Sequence, residues 1–325
     1  MPLFSVVIPS FNRVAFLADA LKSVFTQRFT DFEVIVVDDG STDATMDYLQ
    51  SLERRIEVFR QPNQGPGAAR NCGARHAGGA YLAFLDSDDL WFPWTLDVYR
   101  YVIQKYGYPS LIAGRPHLFS DANDLETVLS STADTEVRSQ QFADYIASGE
   151  RWRWWGVSSF LVRRDAFVAV GGFTDEWING EDADLALRLG VTPNFVQITA
   201  PVTFAYREHA ASAMKDVKRT LAGAWFAVHA EQFGRYPGGA IRAAERHRIL
   251  TRHTRPVTLG CLQQGLRREA WKLYGATFAW HISLRRVKYL AAFPLLAAMS
   301  YLRSTGGAGT KSPAVRDKHQ VHNPC

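Results

Sequence analysis

An α/β protein with a mostly parallel central sheet flanked by helices, and a basic α-helical C-terminal extension, is what this sequence predicts. Three observations point there. Short strand-like runs, β-branched or apolar, recur near the N-terminus, at residues 4–9, 32–37, 56–59 and 80–85. Helix-length segments with apolar residues three and four apart lie between them, and strands that alternate with helices form parallel sheets. Beyond about Ser212 the strand pattern stops and positive charge gathers. From Arg235 to Cys325 there are 16 Lys or Arg against 3 acids, a local net of +13, so a chain of net +5 leaves −8 for the remainder.

Each element follows from its own residues. The first run ends at Pro9 and Ser10, and Asn12 is placed to cap a helix reaching about residue 27, with Phe16, Ala20, Leu21 and Val24 on one face. FEVIVV is a second buried strand, closed by DDGSTD, where Thr42 and Asp43 start a helix to about residue 52. A short third strand leads through QPNQGPG into a helix over 68–77. The fourth strand runs straight into FLDSDDLW. Over 108–148 the pattern is weaker: a strand near 111–114, then a polar connection. VSSFLV reads as a strand over 157–162 with a short helix after it. EDADLALRL is a helix with Leu185 and Leu189 inward, and 195–198 is a late strand. The organisation expected is a catalytic domain over 1–212, a helical basic extension over 213–305 and a disordered tail over 306–325.

Composition narrows the class. Hydrophobic residues make up 47% and charged residues 21% of 325, enough for a core in one large domain or a domain with an appendage. Cys72, Cys261 and Cys325 are few and far apart, with neither metal-ligand spacing nor a disulfide framework, which suits a reducing cytosol. MPLFSVVIPSFNR has no basic region before its apolar run, so no signal peptide is expected, and no apolar run reaches the 18 residues of a membrane span.

In open α/β sheets ligands sit beyond the carboxyl ends of the strands. Pro9 and Ser10, Asp38 and Asp39, and Asp86, Asp88 and Asp89 all fall at those ends. Three carboxylates within four residues repel one another and resist desolvation, and a bound divalent cation is the simplest reason to concentrate them. A solvated turn with helix-capping aspartates is the plainer alternative.

Taken in order, VVIPSFNR, EVIVVDDGSTDAT, NQGPGAARNCG, FLDSDDLWFP, GGFTDEW, GEDADLALRL and YREH resemble the family-2 type of inverting glycosyltransferases with the Rossmann-like GT-A fold. The resemblance covers roughly residues 5–212. It implies that Pro9, Phe11 and Asp39 line a nucleotide-base pocket, an aromatic face for stacking and a carboxylate for a base N–H. Phe11 stands where the family commonly has Tyr. Arg70 would lie near the donor's base or phosphates, unless it makes a surface salt bridge. Asp86 and Asp88 match the DxD positions that hold Mn²⁺ or Mg²⁺ on the donor diphosphate, and His209 matches a position that completes that site. Asp182 is the implied general base, with Glu181 orienting it or the acceptor. The alternative for Glu181, Asp182 and Asp184 is that they are ordinary first-turn acids favoured by the helix dipole. Trp152, Trp154, Trp155 and Trp177 flank the presumed acceptor side, and Trp177 and Trp155 are the acceptor contacts expected among them.

The implied activity moves a sugar from a nucleotide-diphosphate sugar, UDP-linked by family expectation, to a hydroxyl of a saccharide or lipid-linked saccharide in cell-surface polysaccharide synthesis. Two other readings stand beside it. A sugar-1-phosphate nucleotidyltransferase would want a glycine-rich phosphate loop where PSFNR stands. A non-catalytic polysaccharide-assembly module would need neither GED nor DSDD. At the C-terminus, Arg285, Arg286 and Lys288 precede a 14-residue apolar stretch broken by Pro294, with Arg303 after it. At 1.5 Å per residue that spans about 21 Å, short of a hydrocarbon core of about 30 Å. An anchor on an anionic membrane surface fits, with a helix packed on the domain or a dimer contact as alternatives. No nucleic-acid motif is present, so nucleic acid is not an expected partner. The expected place of work is the cytoplasm, peripheral at the inner face of the plasma membrane.

Overall fold

The computed structural model describes residues 1–52, 56–120, 122–132, 136–151, 156–209 and 215–306. The chain separates into two compact units, Met1–Val257 and a second beginning at Thr258. Compact structure in the first unit therefore continues past residue 212.

The N-terminal half alternates as its periodicity predicts: β1 (Phe4–Ser10), α1 (Val14–Phe25), β2 (Phe32–Asp38), α2 (Thr45–Ser51), β3 (Glu57–Arg60), α3 (Pro66–His76) and β4 (Tyr81–Phe84). There follow β5 (Leu90–Trp91), α4 (Thr95–Tyr106), β6 (Leu111–Ala113), β7 (Pro116–Phe119), α5 (Ala122–Thr132), β8 (Arg138–Phe142) and α6 (Tyr145–Ser148). The first unit goes on through β9 (Phe160–Arg163), α7 (Arg164–Ala169), α8 (Glu181–Leu189), β10 (Phe195–Ala200), β11 (Phe204–Arg207) and α9 (Val217–Gln232), and α10 (Ala243–Gln263) leads out of it. α11 (Arg267–Ser283) and α12 (Val287–Gly306) belong to the second unit.

One sheet of eight strands has the order β3-β2-β1-β4-β9-β6-β10-β8, and a sheet of three has the order β5-β11-β7. β1, β2, β3 and β4 pair in parallel, as do β6 and β10, while β9 and β8 run against their neighbours. β1 is buried along its whole length, because helices cover both faces of such a sheet. Core residues Val6, Ile8, Val36, Leu161 and Val196 line that sheet, and Leu17, Leu21 and Val24 of α1 pack on it. α3 lies unusually close on the other side: a Cβ at Gly73 would come within 2.5 Å of Val7 Cγ1, so only glycine lets the helix settle there. The loops after β1, β2 and β4 gather at one rim.

Three local expectations are corrected. Asn12 does not cap α1. It has φ 52°, and its Oδ1 accepts from the backbone N–H of Thr42 at 2.7 Å and of Asp43 at 3.3 Å, so it orders the loop after β2 instead. The strand expected from residue 157 begins at Phe160, because Val157–Ser159 form a single 3₁₀ turn. The polar connection after Gly114 contains β7, α5, β8 and α6, and β8 (RSQQF) is a polar edge strand that periodicity does not reveal.

Candidate active site

Arg70 joins one side of the rim. Its side chain is 3% exposed on α3 and donates to Asp86 Oδ1 at 2.5 Å and to Glu181 Oε1 at 2.9 Å. Phe173 lies beneath, 5.2 Å from ring centre to guanidinium carbon. One planar cation therefore ties the exit of β4 to the N-terminus of α8, and two carboxylates become tolerable in a half-buried place because they share it. α8 starts at Gly180 and carries Glu181, Asp182 and Asp184 in its first turn, where the helix dipole favours negative charge. Asp182 is not held by Arg70's fork; its Oδ1 accepts from the Ala183 N–H at 2.7 Å. Burial first, and the charge of Glu181 second, push the Asp182 carboxyl up to about 7. Burial raises Asp86 as well, against the pull of Arg70.

Asp88 anchors the other side. Its Oδ2 is 2.9 Å from His209 Nε2 and also takes Arg13. His209 follows β11, and its ring sits 5.1 Å from that of Phe16. Asp89 turns inward. It is 3% exposed and accepts from Ser158 Oγ at 2.6 Å and the Arg207 N–H at 3.1 Å. Burial, then the neighbouring Asp86 and Asp88, lift its carboxyl well above the usual carboxylate range. Asp89 is a brace between the DSDD turn and β11, and Ser158, whose Oγ also accepts from the Asp86 N–H at 3.1 Å, stiffens the same turn.

The base-pocket residues lie at the ends of β1 and β2. Pro9 is buried and Phe11 is exposed at the rim. Asp39 is buried and accepts from Gln61 Nε2 at 2.8 Å, Gln64 N at 2.9 Å and Gly65 N at 2.8 Å. A carboxylate has about four acceptor positions, so room for a further N–H remains. Asp38 is fully buried and is spent locally, on the Ser41 N–H at 3.1 Å and Arg60 at 3.1 Å. Gly65 has φ +90°, and the Trp177 indole lies 3.5 Å from where a Cβ would stand. Trp177 is half exposed there, with Arg219 5.4 Å over its ring. Asn71 fixes the GGFTDEW loop: its Oδ1 accepts from Phe173 N at 2.8 Å and its Nδ2 donates to Phe173 O at 2.9 Å. Trp155 lies outside the described residues, as do Trp152 and Trp154.

Arg70, Asp86, Glu181 and Asp182 thus form one group, and Asp88 with His209 another, two residues along the same turn. Arg13, Ser158 and Arg207 were not singled out by sequence. Arg13 stands within the quoted VVIPSFNR and Arg207 within YREH, but only the fold turns them onto Asp88 and Asp89; Ser158 lies in none of the quoted motifs.

Among the described residues no three His, Cys, Asp or Glu groups are arranged to hold an ion by themselves. The donor set still fits a hard cation. Mg²⁺ and Mn²⁺ usually take one or two protein ligands and draw the rest from phosphates and water. A 2.9 Å gap between Asp88 Oδ2 and His209 Nε2 matches neighbouring ligands on an ion with bonds of about 2.1 Å.

Comparison with known proteins agrees with this geometry. The description "Glycosyl transferase family 2" matches residues 5–156. An uncharacterized glycosyltransferase of Rickettsia conorii is 43% identical over 96 residues, 29% of this chain and 16% of its own length. The GalNAc(5)-diNAcBac-PP-undecaprenol beta-1,3-glucosyltransferase of Campylobacter jejuni is 44% identical over 94 residues, 27% of this chain and 30% of the other. The chain therefore spans well under two thirds of these relatives. S. aureus TarS (residues 1–349), solved with UDP-GlcNAc, superposes with a TM-score of 0.62 at 17% identity, over 85% of this chain and 81% of that one. The mannosyltransferase PcManGT of Pyrobaculum calidifontis, solved with GDP-Man and Mn²⁺, gives 0.52 at 18% identity, over 93% and 87%. These structures share the mostly parallel central sheet flanked by helices, so the chain has a GT-A fold, and its residues 5–156 are similar to glycosyl transferase family 2.

Proposed function

We propose that this protein is an inverting glycosyltransferase that moves a sugar from a nucleoside-diphosphate sugar, UDP-linked, to a hydroxyl of a saccharide or lipid-linked saccharide, in cell-surface polysaccharide synthesis at the inner membrane face. The observation that carries the reading is the single buried guanidinium of Arg70 shared by Asp86 and Glu181, with Asp182 next along α8. Asp88 and His209, with Asp86 beside them, would hold Mn²⁺ or Mg²⁺, which when bound stabilises negative charge on the departing diphosphate. Phe11 offers a ring to the base and Asp39 its remaining acceptor capacity.

Asp182 acts as general base. It takes the proton from the acceptor hydroxyl while that oxygen bonds to the anomeric carbon and the opposite C–O bond breaks, its electron pair leaving with the nucleoside diphosphate. A carboxyl raised to about 7 is a better proton acceptor than an ordinary one and is still half ionised at neutral pH. Arg70 keeps Glu181 from Asp182 and fixes α8 relative to Asp86. Trp177 supplies a stacking face on the acceptor side.

The test is nucleotide release from a panel of UDP-, GDP- and dTDP-sugars, with Mn²⁺ and with chelator. Acceptor-dependent UDP release, lost on chelation, is the expected result. Asp182→Asn should abolish release while UDP affinity stays within about threefold, because the base acts in the transition state. Full activity in Asp182→Asn overturns the base assignment. Absence of any nucleotide binding in a calorimetric titration overturns the reading as a whole.

A further inference from the structure

The unit that begins at Thr258 leaves much of its hydrocarbon uncovered. α11 and α12 pack through Tyr274 and Phe293, whose rings stack at 4.2 Å, and Trp271 meets Phe293 edge-on at 5.0 Å. With Phe293 and Ala297 turned inward, the other half of α12 faces solvent. Val287 is 69%, Leu295 66% and Met299 49% exposed, and Leu296 and three alanines fill the surface between them. Between Val287 and Met299, Lys288 is the sole polar side chain of that half, and it stands in the first turn. Trp271, Phe278 and Ile282, seven and four residues apart, add an exposed apolar stripe on α11. Contiguous exposed apolar surface of this kind marks an interaction site.

Charge identifies the partner. From Thr258 on there are 10 Lys or Arg against 2 acids, net +8, which leaves −3 for the rest of a chain of net +5. Arg268, Arg285 and Lys288 are exposed beside the apolar face. A second copy would set this positive unit against its like, whereas an anionic lipid surface neutralises it. No helix among the described residues is long and apolar enough to cross a membrane. A helix apolar on one side, flanked by cations and too short in its apolar run to span, lies in the interface plane.

We propose that the α11–α12 hairpin is a docking face for an anionic bilayer, with Leu295, Leu296 and Met299 at the headgroup–acyl boundary and Arg285 and Lys288 among lipid phosphates. The proposal rests on the second unit alone, and its test reads binding rather than turnover, so it stands or falls apart from the glycosyl-transfer reading. The full chain is co-sedimented with phosphatidylcholine vesicles and with phosphatidylcholine–phosphatidylglycerol vesicles at 3:1. The anionic vesicles should retain at least about tenfold more protein. Leu295→Glu/Met299→Glu should lose more than about tenfold of that partition. Arg285→Gln/Lys288→Gln should lose about 30-fold on anionic vesicles, at about 1 kcal/mol per cation, with little change on phosphatidylcholine. Circular dichroism melts should show both variants folded. Equal retention on the two vesicle types, or indifference to Leu295→Glu/Met299→Glu, overturns the proposal. So does light scattering that finds a dimer dispersed by the same double substitution with no vesicle binding, since the face would then be a contact between copies.

Discussion

The Arg70 group and the α11–α12 hairpin break the ordinary partition of residues in opposite directions. The first unit takes charge inward: Arg70 at 3% exposure holds Asp86 and Glu181, with Asp182 and Asp89 crowded nearby. The hairpin leaves hydrocarbon outward, with Val287 and Leu295 about two-thirds exposed. Buried charge is tolerated only when paired, and large exposed apolar surface is tolerated only when something covers it. Folding alone explains neither arrangement, so each marks a place where a ligand or a surface is to be met.

Substitution sharpens the contrast, and the largest effect belongs to Asp182. Asp182→Asn should lower acceptor-dependent kcat by about 10³–10⁴-fold, the upper part of what general-base catalysis supplies, read as UDP release with saturating donor. Arg70→Met should lower unfolding stability by about 3 kcal/mol, because two carboxylates lose their shared cation. Urea melts check it, and a change under 1 kcal/mol would dissolve the claim that this side of the comparison is built on buried charge.

The pH dependence has a definite sign. The folded Asp182 carboxyl sits at about 7 against an ordinary 3.8, so its protonated form is favoured in the folded state. The stability it contributes is complete below about 4 and is lost as pH rises through 7. Relative to Asp182→Asn, the wild type should therefore weaken between pH 4 and pH 7 in parallel melts. Its transfer rate should climb about tenfold per pH unit up to 7 and then level, since only the ionised form accepts a proton. The smallest effect is on the other side: Leu295→Gln should change unfolding stability by less than about 0.5 kcal/mol, as exposed positions do.

Much of this was written in the residues themselves. β1, β2 and β4 carry largely apolar runs, while β3 (EVFR) is short with charged ends, and EDADLALRL fills α8 from end to end. Asp86, Asp88, Glu181 and Asp182 lie in motifs whose order survives without coordinates. What periodicity misses is short or polar: β5 has two residues, and β8 shows its Gln and Arg side chains at a sheet edge. Arg13 reaches Asp88 across 75 positions and Arg207 reaches Asp89 across 118, so only the fold reveals either link. Asn12 looked like a helix cap because its side chain suits one, yet its left-handed backbone aims it at the following loop.

Asn71 has a consequence of its own. By accepting from the N–H and donating its own N–H to the C=O of the same residue, Phe173, its amide does what a neighbouring strand would do for one rung of a ladder. The loop that bears Trp177 is thereby stitched to α3, and α3 is pressed against β1 at Gly73. Any hinge serving sugar entry has to lie elsewhere than at this seam, for helix and loop travel as one piece.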